Sequence, residues 1–456
     1  MRPAPALRPG AIHVTSVRGD FSAVRGNPGP AARLLPGGTE STGGLPLSRT
    51  RPSRIRRHTP LGRRARAAAY LGTATLTLTL TACGSAAGDA GADLGGAENA
   101  TISVNLKGER AKPGERVEVK LAAGRLADVR VGDDKDGELT GRIAKSGRTW
   151  TSDRVASPGT AYTVTAKDDR GRTAKRTFAT EAAGRVNKLT LAPGNRTTVG
   201  VAQPLSIVFD NPVKNKKDVE RHLKVTTSNG TEGTEGSWGW ITDYSGKDRV
   251  DWRPKEYWKP GTEVKLAADL DGVNSGTGGG WFVRDYDTSF TIGRSQQVTV
   301  DLDSKRLTLA QDGKAVRSVP MSAGTPGGDK ASWGGVNVLM AKEGTIRMNS
   351  ETVGLGDAYD KMVDHSMRLT WSGMYAHAAP WNASYFGNTN HSSGCVGMSD
   401  GDAGWLYAAA QVGDPFVTKG SGHKGTADVG NGYGLWNLSW DEWQAKSALH
   451  GGGESQ

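Results

Sequence analysis

Short alternations of apolar and polar residues dominate the chain from Ala100 onward. Thr101-Ile102-Ser103-Val104-Asn105-Leu106 and Arg116-Val117-Glu118-Val119-Lys120-Leu121 each put an apolar residue at every second position. That is the period of a strand with one buried face, and Lys112-Pro113-Gly114 between the two runs supplies a turn. Tyr162-Thr163-Val164-Thr165-Ala166 continues the pattern. Helical spacing is scarce. At ~100–200 residues per domain, the chain has room for about three domains, and the predicted fold class is mainly β, with two β-sandwiches before a third β-rich unit.

The two sandwiches look like copies. Trp150 precedes Pro158-Gly159-Thr160, and Trp252 precedes Pro260-Gly261-Thr262 and the strand Glu263 to Ala268, both at an offset of 102 residues. A period this long suits duplicated sandwiches better than a solenoid. The first is expected over 100–185 and the second over 186–294. Neither carries a catalytic cluster, so both read as spacers. The third unit, 295–420, opens with Val298 to Leu302 and Arg306 to Ala310 and turns at Asp312-Gly313. Asp402 to Val412 is its clearest helix, with Ser399-Asp400 available as N-cap. Residues 421–456 form a tail whose Trp436, Trp440 and Trp443 are expected to pin it onto the third unit by packing.

Charge changes the picture only at the N-terminus. The formal net charge is +11, but residues 1–82 carry 13 basic and 2 acidic side chains, leaving 45 of each sign beyond them. The basic excess therefore belongs to a leader, and steering to a polyanion such as nucleic acid loses its support. Arg51 to Arg66 form a positive region, Ala67 to Leu80 a moderately apolar stretch, and Leu80-Thr81-Ala82-Cys83 resembles a lipoprotein cleavage site. Residues 1–82 are read as leader and signal peptide, with 1–50 suggesting a start assigned too far upstream. Cys83 is the expected lipidation site, and 83–99 a flexible Gly/Ala-rich tether. The expected location is outside the cytoplasmic membrane, anchored by lipid and facing the cell wall.

With Cys83 lipidated, Cys395 is the one cysteine left as a free thiol. It lies in Asn390-His391-Ser392-Ser393-Gly394-Cys395-Val396-Gly397, where Ser-Ser-Gly reads as a turn rather than a core strand. An exported protein that keeps one thiol in such surroundings has a candidate nucleophile; the bland alternative is a buried cysteine acting as a small hydrophobe. His377, at the end of an apolar run closed by Pro380, is the best base, able to form a thiolate–imidazolium pair. His391 and His365 are rivals. A zinc site from His365, His377, His391 and Cys395 is disfavoured, because the chain has no Cys-x-x-Cys or His-Glu-x-x-His. Tyr359 and Trp381 suit either a groove lining or a core.

Taken together, these motifs resemble the L,D-transpeptidases of bacterial cell-wall synthesis, with a YkuD-type catalytic domain and two immunoglobulin-like domains before it. The resemblance rests on Ser392-Ser393-Gly394-Cys395, on His377-Ala378-Ala379-Pro380-Trp381, on Met348-Asn349-Ser350, on Tyr359, and on the terminal tryptophans. It covers nearly the whole chain after Cys83. It implies attack by the Cys395 thiolate on the diaminopimelate carbonyl of a tetrapeptide stem, expulsion of D-Ala, and capture of the thioester by a second stem to give a 3→3 cross-link. His377 would be the general base and acid. Gly394 and Cys395 amides would form the oxyanion hole, with Ser393 beside them, and the Ala378 carbonyl would orient His377. Tyr359, Trp381, Tyr375, Ser392 and His391 would line the substrate. The implied partners are peptidoglycan stem peptides, the membrane through Cys83, and carbapenem inhibitors, with no cofactor or metal and no nucleic acid.

Three departures mark this chain. Ala378 follows the histidine where the family usually has serine, Ser393 stands where histidine is common before Gly-Cys, and Gly397 replaces a polar residue after the cysteine. Two other functions stay open on sequence. Water in place of the amine acceptor would make an L,D-carboxypeptidase, and a degenerate third domain would make a non-catalytic wall-binding lipoprotein. Rapid alkylation of the thiol below pH 7 is the expected mark of a catalytic thiolate.

Overall fold

The computed structural model describes residues 100–450 apart from Asp136, residues 229–233 and Ala358, so the leader, Cys83 and the tether lie outside the described residues. Alternation becomes two face-packed sheets. In the first sandwich one sheet runs Ile102–Val104, Arg116–Leu121, Thr149–Val155, Gly141–Ile143, and the other Gly108–Ala111, Thr173–Thr180, Ala161–Asp168, Leu126–Asp133. Val117, Val119, Val131, Trp150, Val164 and Phe178 fill the space between them.

The second sandwich has the same topology strand for strand. Its sheets run Leu189–Ala192, Leu205–Phe209, Asp248–Pro254, Gly236–Thr242 and Thr197–Val199, Tyr286–Ile292, Glu263–Ala268, Leu223–Thr227. Even the parallel edge pair recurs, Gly108–Ala111 with Thr173–Thr180 and Thr197–Val199 with Tyr286–Ile292. The expected tryptophan repeat has a structural cause. Trp150 and Trp252 sit at matching places in the cores, and each ring lies across a glycine on the neighbouring strand. A Cβ would fall 2.3 Å from Trp150 at Gly141 and 1.9 Å from Trp252 at Gly236, so the indole fits only where no side chain competes.

The third unit holds two sheets. A five-stranded one runs Lys314–Pro320, Arg306–Gln311, Gln296–Asp301, Pro415–Lys419, Gly335–Val338. A four-stranded one runs Ala341–Asn349, Asp360–Arg368, Tyr375–Ala378, Val396–Met398. Asp312 and Gly313 both have positive φ (49° and 73°), as a tight hairpin turn requires. The helix spans Asp400–Ala409, two residues earlier at its start than expected, with Ser399 Oγ accepting from the Asp402 amide.

The tail corrects an expectation. Trp436 and Trp443 do not pin it to the third unit but dock it on the second sandwich, donating to the Ala202 and Ser237 carbonyls at 2.8 and 3.0 Å. Arg253 of that sandwich lies over the rings of Trp436, Trp440 and Trp443. The tail reaches the third unit through polar residues instead: Asn437 exchanges two hydrogen bonds with the Val336 backbone at the sheet edge, and Asn431 accepts from the Ser372 amide and donates to its hydroxyl. The tail is a strap between the two bodies. It works because the Asp248–Pro254 strand carries arginines on the face turned away from the sandwich core.

Candidate active site

His377 and Cys395 meet because two short strands run parallel. Ala376 pairs with Val396 and His377 with Gly397 across the ladder, so Cys395, one step before Val396, projects from the same face as His377. Gly397 stands opposite the imidazole. A Cβ there would lie 2.8 Å from the Ala379 Cβ, so the third sequence departure is a packing requirement. Both reactive groups are buried (6% and 8% exposed).

Local hydrogen bonds fix both groups. His377 Nδ1 donates to the Ala378 carbonyl at 2.6 Å. A carbonyl only accepts, so this contact puts the proton on Nδ1 and leaves Nε2 as the basic nitrogen. Ser392 Oγ donates to the Cys395 carbonyl at 2.5 Å and accepts from the Gly394 amide at 3.2 Å, holding the turn around Gly394 at φ 118°. Behind it, buried Ser332 donates to the Gly394 carbonyl and accepts from the Gly324 amide. Buried Asn390 bridges the Ala323 amide and the Leu302 carbonyl. Ser332 and Asn390 carry no signal in the sequence, since Ser and Asn are common in any loop and only burial distinguishes them.

The electrostatics bear on the expected ion pair. Burial pushes the Cys395 thiol up to about 11, with the Tyr375 backbone and Lys424 pulling weakly the other way. Burial also lowers the His377 pKa, opposed by its bond to Ala378. Both shifts disfavour charge and so favour a neutral thiol beside a neutral imidazole over a thiolate–imidazolium pair. The thiol hydrogen points to the Gly373 carbonyl at 3.5 Å.

Two cavities flank the cysteine. The first, about 210 Å³, contains Cys395, His377, Trp381, Lys361, His391 and Ser392. The second, about 410 Å³, reaches Gly394, Ala331, Trp333, Ser372, Asp329 and Lys424. Tyr359 and Ser393 border both. Burial near the thiol raises the Tyr359 hydroxyl to about 12, so it remains a donor. The loop carrying it is pinned by buried Ser350, whose Oγ accepts from the Tyr359 amide at 2.9 Å.

The remaining expected residues separate cleanly. Trp381 is 42% exposed and stacks on His377, and His391 stacks on Tyr385 beside the thiol. Tyr375 does not line either cavity. Its ring is buried, its hydroxyl donates to Glu343 and Arg368 covers its face. A tyrosine two residues before the histidine shares its face by strand period, yet the sheet turns this ring toward neighbouring charges. His365 packs on Tyr407, away from both cavities.

Residues 108–274 match the bacterial Ig domain family and residues 295–418 the L,D-transpeptidase catalytic domain, YkuD. L,D-transpeptidase 2 of Mycobacterium tuberculosis is 32% identical over 73% of this chain and 80% of its own length. L,D-transpeptidase 5 of the same species is 31% identical over 66% of this chain and 63% of its own. The structure of LD transpeptidase LdtMt1 in complex with imipenem aligns at 29% identity over 52% of this chain and 100% of that one, with a TM-score of 0.43. The chain belongs to the L,D-transpeptidases. It is an enzyme acting on peptidoglycan, and so works outside the cytoplasm.

Proposed function

We propose that the enzyme forms 3→3 cross-links in peptidoglycan through a Cys395 thioester, with release of D-Ala. What carries this reading is the buried Cys395 thiol sharing a cavity with an imidazole whose tautomer is set by Ala378. His377 Nε2 takes the thiol proton as sulfur attacks the carbonyl of the third stem residue, because neither group is charged beforehand. The Gly394 amide is already engaged by Ser392, which leaves the Cys395 amide as the donor for the developing oxyanion. Collapse breaks the C–N bond, and His377 passes the proton to the departing D-Ala amine. The thioester is then attacked by the side-chain amine of a second stem, which yields a proton to His377; that proton returns to sulfur as the C–S bond breaks.

Chain lacking its leader, incubated with a disaccharide-tetrapeptide, is expected to give a dimer minus one D-Ala by mass spectrometry, and Cys395→Ala should lower that rate by at least about 10⁴-fold. Loss of D-Ala without dimer would instead define an L,D-carboxypeptidase, and no turnover by folded protein a wall-binding role. Iodoacetamide should alkylate the free enzyme slowly below pH 7 and about tenfold faster per pH unit toward pH 11, because only the thiolate reacts. Fast reaction at pH 6 would refute the neutral pair. A carbapenem should leave an acyl adduct on Cys395, visible by intact mass. The anchor through Cys83 would appear as a lipidated N-terminal peptide in membrane fractions.

A further inference from the structure

The two cavities differ in charge. The second contains both Lys424 and Asp329, and Lys424 Nζ donates to the Asp329 carbonyl at 3.2 Å. The first is lined by one full cation, Lys361, and by no carboxylate. Lys361 lies on Asp360–Arg368, opposite Met348. The nearest acid along its strand, Asp360, is occupied by Arg347 at 2.7 Å. Its ammonium instead rests 4.6 Å from the centroid of the Trp381 ring, and the same ring stacks on His377 with centroids 6.0 Å apart. A continuous stack therefore leads from an uncompensated ammonium to the imidazole. The indole holds the lysine in place without neutralising it.

The chemistry of the proposed reaction says what such a cation would meet. His377 hands a proton to the departing amine, so the leaving group must occupy the cavity that His377 lines. The departing amine belongs to alanine, and its α-carbon also bears the free carboxylate, two bonds from the nitrogen. The incoming amine of diaminopimelate is built alike, with amine and carboxylate on one carbon. Both half-reactions thus present an α-amino carboxylate at the same place.

We propose that Lys361 is the specificity residue that binds this α-carboxylate, seating the leaving D-Ala in the first half-reaction and the acceptor amine in the second. The inference rests on the transpeptidase reading. It explains why the ammonium has no acidic partner among the described residues: an internal carboxylate would compete with the substrate's. A stem ending one residue later would carry its charge beyond reach of the ammonium, which favours tetrapeptide donors.

The test compares the tetrapeptide stem with its C-terminal carboxamide, using intact enzyme and measuring D-Ala or D-alaninamide release. Wild type should prefer the free acid by about 10–100-fold in kcat/KM, the range of one hydrogen bond to a charged group. Lys361→Met should bring that ratio close to one, and Lys361→Arg should restore most of it. Equal use of acid and carboxamide by wild type would overturn the proposal without any variant. So would an undiminished preference in Lys361→Met. Absence of turnover by wild type on either substrate would refute the underlying transpeptidase reading, and this inference with it; turnover with no acid preference refutes only Lys361.

Discussion

The two sandwiches share one topology and one tryptophan–glycine core device, yet they stand in different relations to the catalytic unit. The first meets the second through a contact whose polar part includes Arg154, paired with Asp285 at 2.6 Å (35% and 43% exposed) and donating to the Asp271 carbonyl at 3.3 Å. The second is joined to the catalytic unit through buried groups. Gly200 and Ala202 donate to the Val412 and Gly413 carbonyls, Trp443 is fully buried over Gly239, and Arg249, paired with Asp251, donates to the Gly432 carbonyl. A duplicated fold can thus supply a spacer once and a structural part of the enzyme the second time. What distinguishes the copies is the outer face: buried arginines and a glycine at 239 accept the tail's tryptophans.

That contrast can be broken most forcefully at the tryptophans. Trp443→Ala should cost about 3–5 kcal/mol, the usual range for losing a buried indole, and should carry transpeptidation down with it. Trp150→Ala removes an indole of similar burial, but its effect should stay in the first sandwich and leave turnover intact. Urea melts followed by both fluorescence and activity separate the cases; equal loss of activity in the two would erase the distinction.

A smaller effect lies at the joint itself. Asp414 is buried beside Gly200, with Oδ2 accepting from Gln296 and the Gln411 amide and Oδ1 without a partner among the described residues. Burial raises its pKa from 3.8 to about 6, so the folded protein holds this proton more tightly than the unfolded chain. Its favourable contribution is complete below about pH 4 and is lost as pH rises through about 6, an effect of about 2–3 kcal/mol. Asp414→Asn should therefore stabilise the protein above pH 6 by about 2 kcal/mol and flatten that part of its stability profile, measured by thermal melts from pH 4 to 8. The smallest change is expected at the outer junction. Arg154→Met removes a partly exposed ion pair and should cost no more than about 1 kcal/mol, with activity unchanged; a larger loss would make the first sandwich an integral part of the body.

Much of the fold was readable because sandwich strands announce themselves by period two. Arg116–Leu121 and Glu263–Ala268 were placed to the residue. The tail's tryptophans dock elsewhere than expected for a physical reason: tryptophans signal packing but carry no address, and the accepting surface is made by Arg253 and Gly239 on two paired strands distant in sequence. The ionisation of the candidate pair is likewise not legible in the sequence. A cysteine near a histidine suggests an ion pair, but desolvation opposes both charges, and only the surrounding structure sets its strength.

By itself the sequence determined the duplicated β design, the lone thiol, its glycine turn and the histidine eighteen residues before it, since each depends on residue type and local spacing. Only the tertiary structure decided which sandwich becomes part of the enzyme, that burial works against charge on both thiol and imidazole, and that one cavity holds a lysine with no acidic partner among the described residues. Those depend on distances across strands and on exclusion of water, which neighbours in the chain do not fix.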